Sequence, residues 1–105
     1  MDIKKARFMI SLSMKAGKIS AGSFAAENAI RSGKAALILV SQDASANTKK
    51  KYHDMAVYRS IPIHEFLTKK ELGALIGKEE RSCVVITDPG LAGEIDRLFD
   101  MEVQE

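Results

Sequence analysis

Apolar positions along the chain follow two rhythms, and each change of rhythm marks an element. Ile3, Ala6, Ile10 and Met14 return at helical spacing with Lys4, Arg7 and Lys15 between them, which predicts a helix over about residues 3–16, ended by Gly17. A short extended piece, Lys18-Ile19-Ser20, leads to Gly22. Ser23 is read as the N-cap of a second helix, which runs to about Ser32 and closes at Gly33. The run from Ala35 to Val40 has no polar alternation, as expected of a strand covered on both faces. A loop from Ser41 to Ser45 precedes a third helix, about Ala46 to Tyr58, with Lys49-Lys50-Lys51 near its start. Those lysines oppose the helix dipole, a mild cost that an anionic partner, or solvent alone, would offset.

Ile61 to Phe66 reads as a short strand, with Pro62 tolerated at its beginning or on an edge. Thr68-Lys69-Lys70-Glu71 is a capping box that opens a helix through Leu72, Leu75 and Ile76, stopped by Gly77. Ser82 to Thr87 is another wholly apolar strand. Asp88-Pro89 then supplies an N-cap and a proline at the first helical position of a last helix, with Leu91, Ile95 and Leu98 on one stripe. The tail Glu102-Val103-Gln104-Glu105 is expected to fray. Strands alternating with helices imply one α/β domain over residues 1–105, a sheet with helices on both faces. No repeat, low-complexity segment or linker interrupts it.

Composition adds little to this until charge is placed along the chain. With 46% hydrophobic residues a single core can form, and one cysteine rules out an internal disulfide. Cys83 sits in an apolar strand and reads as a buried, inert thiol. No apolar stretch reaches the roughly 18 residues of a membrane span, and no signal core follows the N-terminus, so a soluble cytoplasmic protein is expected. The net charge of +2 conceals a split. Residues 1–52 hold ten Lys or Arg against three acids; residues 53–105 hold six against eleven. One basic and one acidic face would follow, a footprint of a nucleic-acid binder.

Chemistry is otherwise sparse. His53 and His64 stand apart, no nucleophile has a base and orienting group nearby, and one Cys with two scattered His gives no metal-ligand spacing. Asp43 and Asp88 both follow apolar strands, so both are candidates for one carboxyl edge of the sheet, where they could hold a magnesium ion. The plainer account is a turn at Asp43 and a helix cap at Asp88. No enzyme, cofactor, metal or small-molecule substrate is expected. The basic half instead concentrates Lys15, Lys18, Gly22, Ser23, Asn28, Arg31 and Lys34 in and around one loop and the helix it opens. A helix N-terminus suits a phosphate, and lysines add affinity through counterion release. Phe24, Asn28 and Arg31 form one stripe that could stack on and hydrogen-bond unpaired bases, although Phe24 could equally pack in the core.

At these residues the chain resembles the ribosomal protein L7Ae family, its small bacterial members in particular. The likeness is carried by Ala16-Gly17-Lys18, Gly22, Ala29-Ile30-Arg31-Ser32-Gly33-Lys34-Ala35 and the strand to Val40. Asp43-Ala44-Ser45, Asn47 to Lys51, Ile61-Pro62 and Thr68 to Gly73 with Gly77 continue it. The resemblance implies a three-layer α/β/α sandwich around a mixed four-stranded sheet. It also implies binding of kink-turn RNA, a sharply bent internal loop with tandem sheared G·A pairs; apart from the resemblance, a monomer is expected. The segment from Gly22 onward would enter the widened major groove at those pairs. The loop after the last strand, Thr87 to Leu91 with Asp88, Pro89 and Gly90, would cover a flipped-out nucleotide. Where the family presents Asn, Glu and Lys, this chain has Phe24, Ala25 and Asn28. A protein-interaction module that kept the fold and lost RNA readout is the alternative, with Phe24, Ala25 and Ala26 as its contact patch.

Overall fold

The computed structural model describes residues 1–100, so the expected fraying of Glu102–Glu105 lies outside the described residues. Nine elements follow in strict alternation: α1 (Ile3–Lys15), β1 (Ile19–Ala21), α2 (Ser23–Arg31), β2 (Leu37–Val40), α3 (Ala46–Arg59), β3 (Ile63–Glu65), α4 (Lys69–Leu75), β4 (Cys83–Ile86) and α5 (Pro89–Asp100). The boundaries have local causes. Asp2 accepts a hydrogen bond from the Lys5 N–H at the start of α1, and Ser45 accepts from the Thr48 N–H at the start of α3. The Thr68–Glu71 capping box forms in both directions. Asp88 accepts from the Leu91 N–H, as its place before Pro89 requires.

Ser23 is the first residue of α2 and not its cap; Gly22 takes that place, at φ 87° and ψ 154°. That conformation is open almost only to glycine, and it leaves the helix start with no side-chain cap.

The strands pair in the order β1-β4-β2-β3. β4 is antiparallel to both β1 and β2, whereas β2 and β3 are parallel, giving the mixed sheet. Both central strands are buried on both faces, and their side chains alternate between two cores. Leu37, Leu39, Val84 and Ile86 pack against Ala6 and Ile10 of α1, Leu72 of α4, and Ala92, Ile95 and Leu98 of α5. Ile38, Val40, Cys83 and Val85 pack against Ala26, Ala29 and Ile30 of α2 and Tyr52 and Ala56 of α3. The result is three layers, with α1, α4 and α5 on one face and α2 and α3 on the other.

Strand direction then fixes what each edge of the sheet displays. β1, β2 and β3 all end where β4 begins, since Ala21 is opposite Val84 and Val40 opposite Cys83. Helices α2, α3 and α4 leave those three strands directly, so their N-termini gather at this one edge. The opposite edge receives the C-termini of α1, α2 and α3 and the start of α5. Among the described residues, no helix is long and apolar enough to cross a membrane.

Candidate nucleic-acid interface

Three helix N-termini at one edge put three positive dipole ends there, but they are not equivalent. Ser45 caps α3; Thr68 and Glu71 cap α4, and Asp43 accepts from the Lys69 N–H at 2.9 Å. At α2 the first intrahelical bond is Ala26 N–H to Gly22 O, 2.9 Å. The N–H groups of Ser23, Phe24 and Ala25 come before it, and Gly22 offers them no side chain. This is the helix start with donors to spare.

A cleft of about 480 Å³ opens beside it, lined by Gly22, Ser23, Thr48, Lys51, Arg81 and Ser82 among others. Arg81 comes from the loop between α4 and β4, which antiparallel pairing of β1 with β4 carries alongside Gly22; the Gly22 N–H donates to Cys83 O at 3.4 Å. The Arg81 guanidinium is held over this loop by Glu80 O at 2.9 Å and Glu79 O at 3.4 Å. The same guanidinium lies 3.9 Å from where a Cβ on Gly22 would sit. Tyr52 and Cys83 form the back of the cleft and are buried. Burial pushes the Cys83 thiol up to about 12 and raises the Tyr52 hydroxyl too, so both stay protonated and neutral.

The exposed face of α2 continues from the cleft. Phe24 is 87% exposed, which settles its orientation: it points into solvent and not into the core. Ala25, Asn28 and Arg31 are exposed beside it, opposite the buried Ala26, Ala29 and Ile30. Glu27 moderates the charge of this surface, because it accepts from Lys51 at 2.6 Å and from Arg31 at 3.0 Å. Those bonds, Lys51 first, hold its carboxyl below the ordinary value. The other two lysines of the run are also paired, Lys49 with Glu65 at 3.2 Å and Lys50 with Asp54 at 2.7 Å. The dipole cost expected of three lysines in a first turn is therefore met inside the protein.

The residues expected to act together divide between the two edges. Gly22, Ser23 and Phe24 stand at the edge with Arg81, and Asn28 and Arg31 run back along α2. Lys15 closes α1, Lys18 precedes β1 and Lys34 follows α2, so all three belong to the opposite edge. Asp88, Pro89, Gly90 and Leu91 are there as well: the Thr87 N–H donates to Lys18 O, and the Ala36 N–H to Ile86 O. The length of a short strand, on the order of 10 Å, separates this loop from Gly22. The loop next to Gly22 is the one between α4 and β4.

Arg81 is not among the residues expected here, because nothing local in the chain marks its place; only the pairing of β1 with the start of β4 brings it to this edge. The same strand directions keep Asp43 and Asp88 apart. Each follows its own strand, but β4 runs against β2, so the two carboxylates lie at opposite edges and each is used as a cap. Among the described residues no group of three His, Cys, Asp or Glu could hold a metal ion.

Fold and site define a small three-layer α/β/α protein whose exposed chemistry is an uncapped helix start with Arg81 beside it. The chain belongs to the ribosomal protein L7Ae/L30e/S12e/Gadd45 family, whose profile matches residues 4–95. It is 36% identical over 92 residues to the RNA-binding protein YlxQ of Bacillus subtilis, covering 88% of this chain and 92% of that one. It is 37% identical over 97 residues to YlxQ of Enterococcus faecium, covering 92% and 93%. The large ribosomal subunit protein eL30 of Spodoptera frugiperda is 31% identical over 96 residues, 90% of this chain and 85% of its own. A solved structure of a Bacillus halodurans protein of unknown function superimposes with a TM-score of 0.87 at 29% identity, over 91% of this chain and 97% of that one.

Proposed function

We propose that this protein binds structured RNA in the cytoplasm, in association with the ribosome, and seats a kink-turn or similarly bent element at the carboxyl edge of β1, β2 and β3. The observation that carries this is the uncapped N-terminus of α2, with Arg81 beside it and Phe24 projecting from its first turn. Free N–H groups and a positive dipole end suit a phosphate, and Arg81 adds charge beside it. The curated relatives named RNA-binding protein YlxQ and eL30 support the same reading. With Phe24 and Ala25 where the family presents Asn and Glu, recognition shifts from hydrogen bonds on base edges toward stacking on an exposed ring.

Binding to a kink-turn RNA and to a control lacking the sheared G·A pairs, over a range of salt, tests this. The kink-turn is expected to bind more tightly. Arg81→Ala should weaken both RNAs and lower the salt slope by about 0.7–0.9, the share of one phosphate contact. Phe24→Ala should weaken the kink-turn more than the control. Lys18→Ala and Lys34→Ala, at the opposite edge, should leave both unchanged. Loss at Lys18 and Lys34 with none at Arg81 would put the RNA on the wrong edge for this proposal and refute it.

A further inference from the structure

The last turns of α2 and α3 enclose a second recess, of about 310 Å³, lined by Arg31, Asp54, Met55, Tyr58 and Arg59. Its most prominent feature is an aromatic ring with nothing to bury it. Tyr58 is 83% exposed, and its neighbour Val57 is 79% exposed. Tyr58 joins Phe8 and Phe24 among the exposed aromatic side chains and, like them, forgoes the burial such side chains usually supply. The Arg59 guanidinium lies 5.6 Å from the Tyr58 ring centroid. The one acid of the recess, Asp54, is already engaged by Lys50 at 2.7 Å. Arg59 has no carboxylate within salt-bridge distance among the described residues. The recess therefore offers a stacking surface, a guanidinium with no carboxylate partner, and Arg31, which shares its charge with Glu27.

This recess is continuous with the surface described above. Arg31 belongs both to its lining and to the exposed stripe of α2 that begins at Phe24. Seven residues of helix separate the two, about 10 Å. A strand leaving the α2 start can follow that stripe to Tyr58 past two acids, Glu27 and Asp54, each already paired with lysine or arginine.

We propose that the recess between the ends of α2 and α3 is a second RNA subsite, in which an unpaired nucleotide flanking the docked RNA stacks on Tyr58 while Arg59 and Arg31 face its phosphates. The ligand class is single-stranded nucleic acid, because a ring beside guanidinium groups matches a base joined to a phosphate. The subsite rests on the reading that RNA lies along α2, and it extends that surface to the opposite edge of the sheet.

The test uses the whole chain with two versions of one kink-turn RNA, blunt and carrying a single-stranded extension of a few nucleotides, and a short oligouridine as a separate probe. The extension should tighten binding about tenfold, in the range of one stacked base. Tyr58→Ala should abolish that increment while leaving blunt-RNA affinity and melting temperature unchanged. Tyr58→Phe should keep the increment, and Arg59→Ala should reduce it and its salt dependence. Oligouridine should quench tyrosine emission, which comes from Tyr58 and the buried Tyr52 alone because the chain has no tryptophan. An extension that adds nothing, or a Tyr58→Ala variant that weakens blunt and extended RNA alike, overturns the subsite. If blunt RNA does not bind at all, docking at the α2 start fails, and oligouridine still decides the recess: quenching lost in Tyr58→Ala supports it, and absence of quenching overturns it.

Discussion

Replacing Gly73 with alanine should destabilise the protein and disturb the RNA surface together, although alanine is the better helix former. Gly73 is buried within α4, and a Cβ there would lie 1.9 Å from the carbonyl oxygen of Glu79, 2.6 Å from its carbon and 3.1 Å from the Lys78 oxygen. The facing atoms are backbone, so no rotamer change relieves the clash. The loop after α4 would have to retreat by roughly 1.5 Å to reach an ordinary contact. That retreat strains the bonds that hold it, Lys78 N–H to Gly73 O at 2.8 Å and Arg81 N–H to Lys69 O at 3.0 Å.

Helix propensity favours alanine by about 0.8–1.0 kcal/mol. Overpacking opposes it by about 1–3 kcal/mol, and a lost hydrogen bond adds about 1 kcal/mol. The clash wins, with a net loss of about 1–3 kcal/mol, or a melting temperature lower by about 4–8 °C for each kcal/mol. Because the displaced loop carries Arg81, RNA affinity should fall as well. Gly93→Ala is the matched control: Gly93 is exposed within α5 and its Cβ would meet nothing within 4 Å, so the same substitution there should stabilise. Thermal melting and RNA titration of both variants decide the matter. A Gly73→Ala protein that melts at or above the parent, with unchanged RNA affinity, would show that the loop is not held as described.

Glu27→Gln should release Lys51 and Arg31, raising RNA affinity at low salt and steepening the salt slope by up to about one unit per freed cation. The carboxyls of Glu27, bonded to Lys51 and then Arg31, and of Glu65, bonded to Lys49 and then His53, sit below their ordinary value of 4.5. Groups lowered on folding stabilise above that value and lose the contribution as pH falls through the folded-state value. Melting temperature should therefore drop from about pH 5 downward, and Glu27→Gln should flatten the drop; an unaltered acid limb would contradict this. Ser60 caps α3 in the left-handed region at φ 56°, so Ser60→Gly should stabilise by up to about 1 kcal/mol, read by denaturant unfolding. Cys83, buried and raised to about 12, should resist alkylation at pH 8 in the native state and react only on unfolding.

Much of the architecture is written in local residue order. The runs Leu37–Val40 and Cys83–Ile86 announce strands covered on both faces, and Thr68–Glu71 and Asp88-Pro89 mark helix starts by the hydrogen bonds they make. Such signals survive in a linear sequence because caps and side-chain periodicity act over only a few residues. The exposure of Phe24, the pairing of each lysine in Lys49–Lys51 and the division of the candidate residues between two edges are not local. Glu27 and Lys51 are 24 positions apart, and Lys49 reaches Glu65 across 16. Above all, a four-residue apolar run buried on both faces carries no mark of its direction. Only its hydrogen bonds to β1 and β2 make β4 antiparallel, and that pairing brings Arg81 to Gly22 and carries Asp88–Leu91 away from it.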